Sequence, residues 1–98
     1  MAKNLNNSEV QYNGPRCVRL TVTMGLILPD DFRPHVTYVY AEKGHEHAKE
    51  DRKELLNITP KNCMKVGAAI GRRRLARENE VVGYPIEIKA EFADGSVC

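Results

Sequence analysis

Between residues 17 and 28, Val18, Leu20, Val22 and Met24 are interleaved with Arg19, Thr21 and Thr23. Successive side chains leave a strand on opposite sides, so this period of two predicts a strand with one buried and one wet face. Gly25 marks a candidate bulge. Leu26-Ile27-Leu28 runs into Pro29-Asp30-Asp31, read as a turn, and Phe32 is expected to plug the edge of the core. A second strand is expected over 35–42, with Pro34 holding Arg33 extended ahead of it. Val36, Tyr38 and Tyr40 face one way, and His35, Thr37, Val39 and Ala41 the other. Apolar groups on both sides predict an interior place in the sheet. Gly83 is expected to stop the helix before it, and the third strand opens at Tyr84-Pro85, where Ile86, Ile88, Ala90 and Phe92 alternate with Glu87, Lys89 and Glu91. Asp94-Gly95 then reads as a hairpin turn. Only Ser96, Val97 and Cys98 follow it, so either a very short edge strand forms, or the edge pairs with another chain, or the segment has been shortened.

Between the second and third strands the period changes. Residues 45–58 read as a short charged helix after a break at Gly44, with Leu55, Leu56 and Ile58 anchoring its end to the core. Its acids and bases are mixed, as on a solubilising surface. The strongest helix signal covers 59–80. Thr59 is a suitable N-cap, and Pro60 fits the first helical position, where its missing N–H costs nothing. Cys63, Val66, Gly67 and Ile70 recur at helical spacing, with Met64 and Ala68 beside them, as a stripe for burial. Gly67, Ala68, Ala69 and Gly71 leave little side-chain bulk. A glycine costs about 1 kcal/mol against alanine inside a helix, so these positions point to a close approach by another part of the chain. After Gly71, Arg74 and Arg77 occupy the side that Ile70 held. Unpaired arginine is almost never fully buried. The helix is therefore expected either to break at Gly71 or to run past the domain, with Arg72, Arg73, Arg74 and Arg77 outside.

Charge sharpens this picture only locally. The net charge is +2, so the arginine run is a cluster within a nearly balanced chain. With Lys61 and Lys65 on the flank of the stripe, it forms the candidate binding surface, Lys61, Lys65, Arg72, Arg73, Arg74 and Arg77. Such a surface suits phosphates or acidic side chains, and helix C-termini also favour cations for their own dipole. No apolar run is long enough to span a bilayer and no secretory leader is evident, so no membrane partner is expected. Cys17, Cys63 and Cys98 form no metal or redox spacing, and their odd number points to reduced thiols and a cytoplasmic location.

Candidate chemistry is sparse. No Walker loop, dinucleotide fingerprint or Cys-His metal box is present, so no cofactor is expected. His45-Glu46-His47, with Asp51 four residues on, gives two ligands at helical spacing but places no third, so no metal is expected. Pro34-His35-Val36-Thr37-Tyr38 resembles the His-x-Thr strand of the 2H phosphoesterase and RNA-ligase-like families. The resemblance implies His35 and Thr37 as catalytic residues acting on a cyclic or 2′,5′ phosphodiester. Those families carry two such motifs, one from each lobe, and this chain carries one, so its catalytic form would be a homodimer.

The expected fold is α+β, a small, mainly antiparallel sheet in the order β-β-α-α-β with helices packed on one face. Residues 1–16 are expected to form a flexible arm and 17–98 a single domain. The function expected is a non-enzymatic binding or inhibitor module. Its basic helix end would engage a nucleic acid, an acidic protein surface or a nucleoprotein complex, as a phage-type inhibitor would. Alternatives are the phosphoesterase-like dimer and a structural subunit that forms a homodimer through its C-terminal edge strand.

Overall fold

The computed structural model describes residues 12–29 and 34–98. Most of the expected arm, the Asp30-Asp31 part of the turn and Phe32 lie outside the described residues. Strand β1 (Cys17–Leu26) is central, flanked by β2 (His35–Ala41) and β3 (Gly83–Phe92), with both pairings antiparallel and the strand order β2-β1-β3. Helices α1 (Ala48–Leu55) and α2 (Cys63–Asn79) complete the order β-β-α-α-β of a small α+β fold.

The alternation in β1 sorts as expected from Leu20 onward: Leu20, Val22 and Met24 are fully buried, and Thr21 and Thr23 share the opposite face with Arg19. Ahead of it a register shift between Cys17 and Arg19 breaks the period, so Cys17 rather than Val18 joins the core. The core joins them to Tyr38 and Tyr40 of β2, Leu55, Ile58, Cys63, Ile70 and Leu75 of the helical half, and Ala90 and Phe92 of β3. At about 25 cal/mol for each Å² of apolar surface removed from water, these side chains supply the main force that holds helices to sheet.

Further expectations about the sheet are corrected. Gly25 is no bulge: it pairs in register with His35 of β2 and Tyr84 of β3. β2 is an edge strand, because β3 takes the other side of β1. Its second apolar face is exposed: Val39 keeps 41% of its surface open to solvent on the side of the sheet away from the core. In β3, Ile86 does not share a face with Ile88. The register passes from Thr23 opposite Glu87 to Met24 opposite Pro85, which leaves Ile86 as the extra residue of a bulge and turns it outward at 45% exposure.

The helix starts are informative. Thr59 and Asn62 form a reciprocal box: the Asn62 N–H donates to Thr59 Oγ1 at 3.3 Å, and the Thr59 N–H donates to Asn62 Oδ1 at 2.7 Å. This is capping-box logic with asparagine in the glutamate's place. Thr59 thus closes a turn holding Pro60, and α2 begins only at Cys63 with Asn62 as its N-cap, so Thr59 and Pro60 stand ahead of the helix and not at its first positions as expected. That helix runs unbroken through Gly71 and ends at Glu80, which takes a left-handed conformation at φ 57°. Glu80, and not Gly83, is therefore the stop. Gly83 instead begins β3, packed against the Gly25 carbonyl of β1, where a side chain has no room. In α1, Leu55 is buried but Leu56 points outward at 76% exposure, so the anchor is Leu55 with Ile58.

The Asp94-Gly95 turn forms as expected, with Gly95 at φ 90°. Asp94 Oδ1 accepts from the Ser96 N–H at 2.9 Å. The segment after it folds back on β3 as a very short edge strand. Glu91 bridges Val97, Phe92 N–H donates to the Ser96 carbonyl at 2.9 Å, and Cys98 N–H donates to that of Ala90 at 2.8 Å. Cys63 and Cys98 are joined in a disulfide, their Cα atoms 6.5 Å apart, which corrects the expectation of separate thiols. Cys17 is free and buried, and burial pushes its thiol pKa up. No helix among the described residues is long and apolar enough to cross a membrane.

Candidate anion-binding surface

The face that α2 turns to the sheet carries Cys63, Gly67, Ile70, Gly71 and Leu75, all buried. Met64, expected beside this stripe, is instead exposed at 56%. The opposite face of α2 must therefore look outward, and Lys65, Ala69, Arg72, Arg73, Ala76 and Arg77 are exposed there. The two rows of cations on this face have different surroundings.

The first row follows the side nearer α1, and its three arginines share two carboxylates of the chain, Glu54 and Glu78. Arg73 reaches Glu54 of α1 at 3.2 Å. Arg74 Nε donates to Glu78 Oε2 at 2.9 Å, and Arg77 stands 4.0 Å from the same carboxylate. Arg74 is not outside, as the sequence suggested. Its guanidinium lies 4.5 Å from the centre of the Tyr38 ring and 5.2 Å from that of Tyr40. Two tyrosines, two residues apart on the core-facing side of β2, give the charge flat π faces to cover. Burial opposes its charge, but the Tyr40 hydroxyl and Glu78 outweigh it and hold the Arg74 pKa above its ordinary value. Burial raises the pKa of both tyrosines. The Tyr38 hydroxyl donates to Asn79 Oδ1 at 2.7 Å, tying β2 to the last turn of α2.

The second row is Lys61, in the turn just ahead of α2, with Lys65 and Arg72 of the helix. All three are exposed, and none forms an ion pair among the described residues. At 1.5 Å rise per residue, Lys65 and Arg72 stand about two turns apart along α2. Beside them, Ala69 and Ala76 give the outer face a low ridge. The six sequence-selected residues therefore separate into three unpaired cations and three already engaged.

A cleft of about 470 Å³ opens between β2, α1 and the end of α2, lined by Tyr40, His45, Glu54, Arg74 and Glu78 among others. His45 is fully occupied in it. Its Nδ1 accepts from the His47 N–H at 3.2 Å, and its Nε2 faces Asp51 Oδ2 at 2.9 Å and the Ala41 carbonyl at 3.1 Å. Asp51, itself buried, also accepts from the Ala41 N–H at 3.0 Å. The pair clamps the end of β2 to α1. His47 turns outward beside Glu46. Among the described residues no group of three His, Cys, Asp or Glu is placed to hold a metal ion.

His35 and Thr37 lie on the uncovered face of the sheet, both exposed. The Thr37 hydroxyl is hydrogen-bonded to that of Thr23 at 3.0 Å. His45 and His47 lie past the other end of β2. Sequence reasoning missed the Arg74–tyrosine stack and the His45–Asp51 clamp. Tyr38 and Tyr40 on one strand face were a partial signal for the first, and nothing local announced the second. Comparison of this chain with protein-family models, curated proteins and solved structures finds no match.

Proposed function

We propose that this chain is a non-enzymatic binding module that docks, through the outer face of α2, on an acidic surface of a partner protein. The observation that supports this reading is the row Lys61, Lys65 and Arg72. It is exposed and without counter-ions among the described residues, while the neighbouring Arg73, Arg74 and Arg77 already share the carboxylates of Glu54 and Glu78. Exposed ammonium and guanidinium groups gain most where a partner brings carboxylates and excludes water from them. The alanine ridge beside the row lets a partner backbone come near.

A nucleic acid is the weaker reading on magnitude. Three phosphate contacts give a log–log salt slope of about −2.7 at roughly −0.9 for each contact, and such a set binds only weakly at physiological salt. No aromatic side chain on the exposed face of α2 offers a base a stacking surface.

The test is binding of the full chain to polyglutamate and to single- and double-stranded DNA and RNA oligonucleotides, at low and physiological salt. The reading expects low-salt binding to polyglutamate that the triple replacement of Lys61, Lys65 and Arg72 by alanine abolishes without loss of fold. Unchanged binding by the folded triple variant, or no binding by the parent at low salt, refutes it. Tight binding to an oligonucleotide at physiological salt transfers the same residues to a nucleic-acid function.

A further inference from the structure

The disulfide lies where few other described contacts hold the chain. The segment 96–98 covers the outer edge of β3 only at Ala90, Glu91 and Phe92, through one bridge and the hydrogen bonds of Phe92 and Cys98. Its side chains bury little: Ser96 is exposed and Val97 keeps 58% of its surface open, so only Cys98 packs against the core. The turn itself is locally determined, since Asp94 bonds both the amide and the hydroxyl of Ser96. Beyond Ser96, the sulfur bridge to Cys63 is the main attachment. Cys63 is buried at the first residue of α2, whereas Cys98 is partly open. A small thiol can therefore reach the Cys98 sulfur and not the Cys63 sulfur.

We propose that Cys63–Cys98 is a redox-sensitive clasp on the edge of the sheet. Oxidised, it holds 96–98 as a short fourth strand on β3. Reduced, it lets that segment go and uncovers the backbone of Ala90, Glu91 and Phe92. The chemistry is ordinary thiol exchange with a small thiol such as glutathione. The first thiolate attacks Cys98 Sγ, the bond to Cys63 breaks, and Cys63 leaves as a thiolate that takes up a proton. A second thiolate attacks the sulfur of the small thiol now bonded to Cys98, forming the small disulfide and releasing Cys98 as a thiol. Two small thiols thus supply the two electrons and two protons. The core keeps its other contacts, because Cys63 remains seated among apolar neighbours as a small hydrophobe.

The clasp is independent of the anion-binding reading and is tested separately. Amide hydrogen exchange is measured on the full chain, air-oxidised and after reduction with dithiothreitol. Exchange of the Cys98 and Phe92 amides is expected to speed up about tenfold or more on reduction, with Leu20 and Val22 in the centre of β1 unaffected. Cys98→Ser is expected to show the fast rates with or without the reductant. Equal rates in the two states refute the release. Equilibration in glutathione buffers of varied thiol-to-disulfide ratio, read by thiol alkylation and intact mass, tests the sensitivity. A pair that changes state across the series supports the clasp. A pair that stays oxidised throughout, or that never forms, overturns it.

Discussion

Gly67 and Gly71 set how deeply α2 sits on the sheet, and replacing either by alanine places two opposed effects in one measurement. In an isolated helix the change is favourable by about 1 kcal/mol. Here a methyl group at Gly71 would lie 2.7 Å from Val22 Cγ1 and 2.8 Å from Met24 Sδ, and one at Gly67 would lie 2.8 Å from Ile88 Cγ2. Ordinary carbon contacts begin near 3.5 Å, so the helix or the strand must yield by most of an ångström. Val22 and Ile88 are β-branched and stiff at χ1, which leaves Met24 as the one contact that can swing aside. Overpacking of this kind costs about 1–3 kcal/mol. Subtracting the gain in helix propensity, each single variant is expected to lose up to about 2 kcal/mol, with Gly67→Ala the more costly because Ile88 cannot move away. The double variant is expected to lose less than the sum, since one outward shift of α2 relieves both contacts. The assay is urea unfolding followed by circular dichroism, with Ala69→Gly on the exposed face as the control for propensity alone. If Gly67→Ala raises the midpoint, the close seating of α2 is wrong, whatever the double variant does.

Other outcomes follow from individual contacts. Arg74→Ala removes a cation from two tyrosine faces and from Glu78, and is expected to cost about 1–2 kcal/mol in the same assay; Arg74→Lys keeps the charge but not the planar stack, and is expected to recover only part. Asp51→Ala leaves the Ala41 N–H and His45 without their acceptor and is expected to cost about 1–3 kcal/mol, with Asp51→Asn milder because its amide oxygen can still accept from one of them. Glu42 accepts two hydrogen bonds from Arg16, at 3.0 and 2.9 Å, which hold its carboxyl below the ordinary glutamate pKa. A carboxylate with a depressed folded-state pKa adds stability that is present above the ordinary value and lost as pH falls through the folded one. The small stability difference between the parent and Glu42→Gln should therefore close below about pH 4, as read by unfolding at stepped pH.

The features legible in the sequence are those set by local periodicity. The alternation in β1 and the glycine-bearing stripe of α2 fixed which sides meet, because burial of one face is a property of a single element. The alternation misplaces Ile86 because a bulge depends on the partner strand and leaves no mark in the sequence. Val39 and Ala41 look like a second buried face and so point to an interior β2; neither residue records that only one side of the sheet is covered. The candidate surface was legible as charge but not as pairing. Arg73 meets Glu54 across two helices, and Arg74 meets a tyrosine pair more than thirty residues earlier in the chain. The Cys63–Cys98 bridge likewise depends on the fold-back after Asp94, which brings distant sulfurs together without any spacing motif.

The strand order also has a consequence in time. β1 takes β2 as its first neighbour, and they pair through Gly25 and His35 with a short connection between them. Its other neighbour, joined from Leu26 opposite Gly83 onward, is separated from it in the chain by β2 and both helices. A chain emerging from the ribosome can therefore form the β1–β2 hairpin early, but it must wait for the rest before the sheet closes. During that interval Leu20, Val22, Met24, Tyr38 and Tyr40 form an apolar face with nothing over it. Non-local pairing of this kind slows folding, so synthesis, rather than the finished molecule, is the stage at which this chain most needs protection from its neighbours.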